Sequence, residues 1–228
     1  MQAANIVYLA TIWVLPVIVA ITFHEAAHGY VAHLLGDDTA WKLGRVSFNP
    51  IKHVDPFGTI VLPAALLLLR SPFLFGYAKP VPVNFRALRS PRRDMLLVAA
   101  AGPIMNFALA FVAALAFHGV GYLPPGAAQF LAANLRNAVL INVVLAVFNL
   151  FPLPPLDGGR ILVAILPRPL AVAVGRLEPF GMLILIGVFI VLPVVGTQFG
   201  LDLSFVSRAL AAATYTVIHV IVQISGNG

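Results

Sequence analysis

Between Asp94 and Arg136 the chain carries no Asp, Glu, Lys or Arg. Few environments suit such a stretch, because about 20 consecutive apolar residues, wound as a helix, match the hydrocarbon thickness of a bilayer. A span is expected here from about Met95 to Phe117. Four further stretches qualify, near Asn5 to Leu35, Asn137 to Leu156, Phe180 to Val195 and Leu203 to Ile224. Lipid offers backbone N–H and C=O groups no partners, so each must be helical. The expected fold is an all-α polytopic membrane protein with five to six transmembrane helices. Composition agrees: 10% of residues are charged, against about a quarter in a soluble domain.

The sixth stretch, Pro56 to Leu69, is short for a span and is interrupted by Pro63. Apolar runs of about 10 to 14 residues are more often re-entrant or buried. If it re-enters, 12 of the 14 Lys and Arg residues fall on one side, leaving Arg136 and Arg208 on the other. If it spans, the split becomes 9 to 5. Basic residues concentrate in cytoplasmic loops, which favours re-entry and puts the basic side inside. This accounts for the net charge of +6 without nucleic acid. The expected organisation is a single integral membrane domain over 1–228. Within it come a first helix (5–35), a cytoplasmic loop with short membrane-associated strands and the re-entrant segment (36–93), two core helices (94–167) and C-terminal helices (175–228). The N-terminal apolar run lacks the basic flank and small-residue cleavage site of a signal peptide, and reads as a retained span. With no cysteine, disulfides, thiolate metal sites and cysteine nucleophiles are excluded.

Inside the first apolar run stands His24-Glu25-Ala26-Ala27-His28. Ionisable groups at bilayer depth are costly and mark function by default. Residues four apart lie about 40° from one another around a helix, so both imidazoles can reach one ion. Zinc accepts neutral imidazoles and in catalytic sites keeps a position open for water, and Glu25 stands beside that position as an acid/base. A shuffled chain of this composition matches H-E-x-x-H about 0.001 times. The plainer alternative is a pair of histidines satisfied by interhelical hydrogen bonds.

A third protein ligand is required. Leu34 occupies the place of a third histidine in the extended metalloprotease pattern. His33 points about 180° away from His24 and reads as a helix-end histidine. Glu178 sits at a loop edge beside Pro179. Asp157 is better placed, in "FPLPPLDGG", where three prolines stop the helix and two glycines free the backbone. A broken helix that lines a cavity suits a carboxylate ligand. Asp157 also fits an ordinary N-terminal cap. With the re-entrant topology, His24, His28 and Asp157 fall at matching depth near the inner face.

The segments "FHEAAHGYVAHLLGD", "KPVPVNFRALRSPRRDMLLVAAAGPIMNF" and "NLFPLPPLDGGR" resemble the site-2 proteases, intramembrane zinc metalloproteases of the M50 group. The likeness is to the compact prokaryotic branch without PDZ or CBS domains, and covers about residues 10 to 170. It implies one catalytic Zn2+ held by His24, His28 and Asp157, Glu25 as the catalytic acid/base, and Asn149 holding the substrate. It also implies a prokaryotic plasma-membrane enzyme with its site toward the cytoplasm. The substrates implied are transmembrane proteins or their membrane-retained remnants, including regulators such as anti-sigma factors. An extended substrate would pair with an exposed strand edge, for which 40–48 is the candidate. Asn106 is a candidate donor to substrate or oxyanion, or else an interhelical hydrogen bond beside Gly102. Asn142 carries the same packing reading, His53 and Asp55 read as a turn, and His118 and His219 as interfacial. Broken helices with His, Glu and Asp also suit a metal or proton transporter, which would not need Glu25 between the ligands. An inactive scaffold would not need Glu25 either.

Overall fold

The computed structural model describes residues 2–61, 65 and 78–228. Among these the regular structure is helical, and no strand forms. The elements in order are α1 (Gln2–Leu34), α2 (Thr39–Lys42), a 3-10 turn (Pro50–His53) and a π turn (Pro56–Val61). Then follow α3 (Pro91–Ala116), a 3-10 extension (Phe117–Tyr122), α4 (Pro125–Asn149), α5 (Asp157–Ile165) and α6 (Arg168–Gly175). After a 3-10 turn (Glu178–Phe180) come α7 (Gly181–Ile186), a π segment (Gly187–Val191), α8 (Leu192–Gln198) and α9 (Phe205–Ile224). Five helical stretches are long and apolar enough to cross a membrane: Val7–Leu34, Pro91–Tyr122, Pro125–Asn149, Arg168–Gln198 and Phe205–Ile224. Large apolar side chains such as Val14, Leu15, Ile104, Val112 and Leu183 are exposed, as lipid-facing surfaces require.

Helices α1, α3 and α4 pack on one another, α5 lies against α3, and α9 against α4. Small residues allow the close approach. Ala110, Ala113 and Ala114 of α3 meet Val139 and Val143 of α4 and Ile221 of α9. At the other end Ala32, Leu88 and Val98 form a second cluster, joined by Val83 and Phe85.

Helix α1 stops at a glycine in the left-handed region. Gly36 (φ 108) lets the Asp37 N–H donate to Ala32 O and its own N–H to His33 O, the bonding of a Schellman cap. The buried Asp37 then ties this end to the incoming chain. Its carboxylate accepts from the Thr39 N–H (3.0 Å) and from the Asn84 N–H (2.6 Å).

Three sequence expectations need correction or restriction. The proposed strand edge 40–48 is instead the short helix α2 and its cap. Gly44 (φ 62) closes a second Schellman motif, with Arg45 N–H on Ala40 O and Gly44 N–H on Trp41 O. The helix that holds the third span begins at Pro125, before Asn137, and ends at Asn149, because the prolines that follow cannot continue it. The re-entrant expectation for 56–69 lies largely outside the described residues. Of it, Pro56–Val61 forms one wide turn, entered through Asp55, whose Oδ1 accepts from the Phe57 and Gly58 N–H groups.

Candidate metal centre

His24 and His28 sit one helical turn apart on α1, both buried. Gly102 of α3 makes room for them, since a Cβ there would overlap both imidazoles. Asp157 opens α5, and the chain reaches it through the tight 150–156 loop. Gly158 and Gly159 permit that loop, because a Cβ on either would run into the backbone of Leu150 or of Leu153 and Pro154.

Hydrogen bonds fix the two rings and their tautomers. The Asn106 amide nitrogen donates to Ala20 O (3.1 Å) and Asn142 Oδ1 (2.8 Å). Its Oδ1 therefore accepts, from His24 Nδ1 at 2.5 Å. His28 Nδ1 lies 2.7 Å from Val98 O, a carbonyl that can only accept. Both Nδ1 atoms thus carry hydrogen, and both Nε2 atoms present bare lone pairs. The two Nε2 atoms are 3.0 Å apart. Asp157 Oδ2 lies 3.2 Å from one and 3.3 Å from the other, is buried and has no hydrogen-bond partner.

Three acceptors facing one another without a donor would repel in a buried site. A proton could satisfy only one of the three contacts, whereas a cation satisfies all. Zn–ligand bonds of 2.0–2.1 Å at the tetrahedral angle put ligand atoms about 3.3 Å apart, which is the spacing found. The donor set and its geometry fit zinc. His24, His28 and Asp157 are the group among the described residues that could hold a metal ion.

A cavity of about 330 Å³ opens beside this cluster, with Glu25, Asn149, Pro80, Val81 and Arg160 on its wall. One carboxylate oxygen of Glu25 accepts from the Val81 N–H at 2.7 Å, which aims the side chain. The chain around Val81 is itself pinned, with Lys79 N–H on His53 O (2.9 Å) and Arg45 Nη2 on Lys79 O (2.9 Å). Asn149 spends its amide nitrogen on Leu145 O (2.9 Å) while lining the cavity.

Asn106 differs from the substrate contact expected of it. It is 0% exposed, does not line the cavity, and has its oxygen and both amide hydrogens engaged within the protein. Glu178 pairs with Arg160 at 3.5 Å and is not one of the converging ligand atoms. His33 bonds Asp38 (2.7 Å) and stacks on Trp41, as a helix-end histidine should. The roles of Val98 O, the Val81 N–H and Gly102 escaped sequence reading, because backbone groups and missing side chains leave no motif. The adjacency of Gly102 and Asn106, one turn apart on α3, was the available signal.

Comparison with known proteins agrees with the chemistry. Residues 126–194 match Peptidase family M50. The Bacillus subtilis protein named "Putative zinc metalloprotease YwhC" is 40% identical over 185 residues, 78% of this chain and 79% of that protein. The Mycobacterium tuberculosis protein named "Putative zinc metalloprotease Rip2" is 30% identical over 201 residues, 86% of this chain and 75% of that one. No solved structure matches. Fold and site together define a zinc metalloprotease built on apolar, membrane-spanning helices. The chain belongs to the M50 peptidases, the site-2 protease family.

Proposed function

We propose that the protein hydrolyses peptide bonds within or beside transmembrane segments of other membrane proteins. The carrying observation is the depth of the site. His24 and His28 lie ten and six residues before the end of α1 at Leu34, about 15 and 9 Å along the axis. They sit inside a stretch apolar enough to cross the bilayer.

In this reading His24, His28 and Asp157 hold the ion. Zinc, when bound, activates water and polarises the scissile carbonyl. Glu25, steadied by the Val81 N–H, takes the proton of the attacking water and delivers it to the leaving amide nitrogen. Asn106 acts through His24, fixing its ring. Asn149 is on the cavity wall, and its amide oxygen, which accepts no hydrogen bond among the described residues, would meet the substrate backbone. A helical substrate keeps its carbonyls in hydrogen bonds, so it must unwind locally to present one to the site. The concentration of basic residues around the α1 and α3 ends nearest the site supports the reading of a site toward the cytoplasmic face of a cell membrane.

The test is reconstitution of wild type and Glu25→Gln in liposomes with a single-span reporter, the products being mapped by mass spectrometry. Wild type should cut within or beside the span. Glu25→Gln should keep its zinc and lose about 10²–10⁴-fold in rate. Cutting confined to distant soluble flanks, or undiminished in Glu25→Gln, would overturn the proposal.

A further inference from the structure

A second cavity, of about 460 Å³, opens at the other end of the bundle between α3, α4 and α9. Ala114 on its wall lies twelve residues beyond Gly102 on α3, about 18 Å along the axis. The cavity therefore belongs to the leaflet opposite the metal centre. Val139 and Leu140 of α4 and Ile218 and Val222 of α9 complete an apolar interior. From α3 itself, Ala114 contributes only a methyl group to the wall.

The rim is polar. Asn227 Nδ2 donates to Ala114 O (2.8 Å), and His118 Nε2 donates to Ser225 O (2.7 Å), which together stitch α9 to the end of α3. Arg136 also lines the cavity. It is exposed, with its guanidinium 5.8 Å from the ring centroid of Phe117. Among the described residues Arg136 makes no ion pair. Nor do the walls hold one in reserve, since residues 95–156 and 203–228 contain no Asp or Glu.

A guanidinium next to hydrocarbon without an anion is unfavourable. Its planar fork is suited to bidentate bonding of phosphate. Cavities of about 300–1,000 Å³ with apolar walls and a few fixed polar groups are typical of ligand sites. An apolar interior with one unpaired cation among its lining residues is complementary to an anionic amphiphile. Free phosphate would leave the apolar interior unused. We propose that this cavity binds an anionic phospholipid, its headgroup phosphate on Arg136 and one acyl chain between α3, α4 and α9.

The experiment is native mass spectrometry of the full chain released from mixed micelles containing phosphatidylglycerol and phosphatidylcholine in equal amounts. Wild type should retain phosphatidylglycerol with roughly tenfold preference, because phosphatidylcholine offers the same phosphate but brings a choline cation that Arg136 repels. Arg136→Gln should bring the preference close to unity, and Arg136→Lys should restore part of it. Leu140→Trp, at an exposed cavity position, keeps the charge and fills the chain site, so it should lower retention of both lipids. If Arg136→Gln does not fold, Leu140→Trp decides the matter alone. Absence of retained lipid in wild type, equal retention of the two lipids, preference unchanged in Arg136→Gln, or retention unchanged in Leu140→Trp would each overturn the proposal.

Discussion

Asn106 Oδ1 lies 2.5 Å from His24 Nδ1, and the Asn106 amide nitrogen is itself committed to Ala20 O and Asn142 Oδ1. The second asparagine thus sets which way the first one points, and the first sets which nitrogen of His24 is bare. Ligand-orienting partners of this kind are worth about 10–100-fold in metal affinity or activity. Asn106→Leu should therefore weaken zinc binding by that factor, measured by chelator competition. Asn106→Asp, which keeps the acceptor, should lose less. Asn142→Leu should fall between wild type and Asn106→Leu, because the buried Asn106 amide would be left short of an acceptor. Equal affinity in all four proteins would refute the relay.

Gly102 supplies volume rather than chemistry. A Cβ there would overlap His24 and His28, and the imidazoles cannot retreat without giving up Asn106 and Val98. Gly102→Ala should lose bound zinc and activity together. Gly119→Ala, with nothing within 4 Å of the added carbon, serves as the neutral comparison. Zinc per chain and melting temperature, measured on both variants, separate a local clash from general unfolding. Full zinc occupancy in Gly102→Ala would contradict the steric argument.

The parts of this molecule that were legible in sequence are those set by local rules. The pairing of His24 with His28 follows from helical spacing alone, and the loop before Asp157 follows from proline chemistry. The early start of α4 was hidden because Gln129, Asn134 and Arg136 interrupt the apolar run. In the helix the amide nitrogens of Asn134 and Asn137 donate to Phe130 O and Ile12 O, so polarity did not imply exposure. At 40–48 the family resemblance suggested a strand edge, but a single left-handed glycine at 44 closes a helix cap instead. Asn106 has the composition of a substrate contact, and only the burial of all its polar atoms assigns it to His24.

Asp38 sits just beyond α1, outside the membrane-spanning stretch, bonded by His33 (2.7 Å) and 3.5 Å from Lys42. Chiefly the His33 hydrogen bond, with the Lys42 charge, holds its carboxyl below the ordinary value of 3.8. A carboxyl with a depressed folded pKa stabilises the fold above its unfolded pKa, and loses that effect as pH falls through the folded value. Wild type should therefore melt higher than Asp38→Asn at pH 6. The difference should shrink as pH drops below 3.8, and added salt should reduce it because the pair is exposed. Melting curves of both proteins across pH 2–7 test this. A gap that widens at low pH would reverse the assigned sign.

Zinc removal should destabilise this fold as well as silence it. Without a cation, His24 Nε2, His28 Nε2 and Asp157 Oδ2 remain 3.0–3.3 Å apart with no hydrogen among them. Asp157 begins α5, so their repulsion is transmitted to the packing of α5 on α3. A ligand that binds only the folded chain adds about 2.7 kcal/mol at a hundredfold excess over its dissociation constant. Chelated protein should melt lower than zinc-loaded protein, and melting temperature should climb with free zinc. His28→Ala should flatten that dependence while Glu25→Gln keeps it, since Glu25 faces the cavity and bonds Val81 rather than joining the three converging atoms. Calorimetry in detergent at fixed free zinc reads both. A wild-type melting temperature indifferent to zinc would mean that these three atoms do not share an ion.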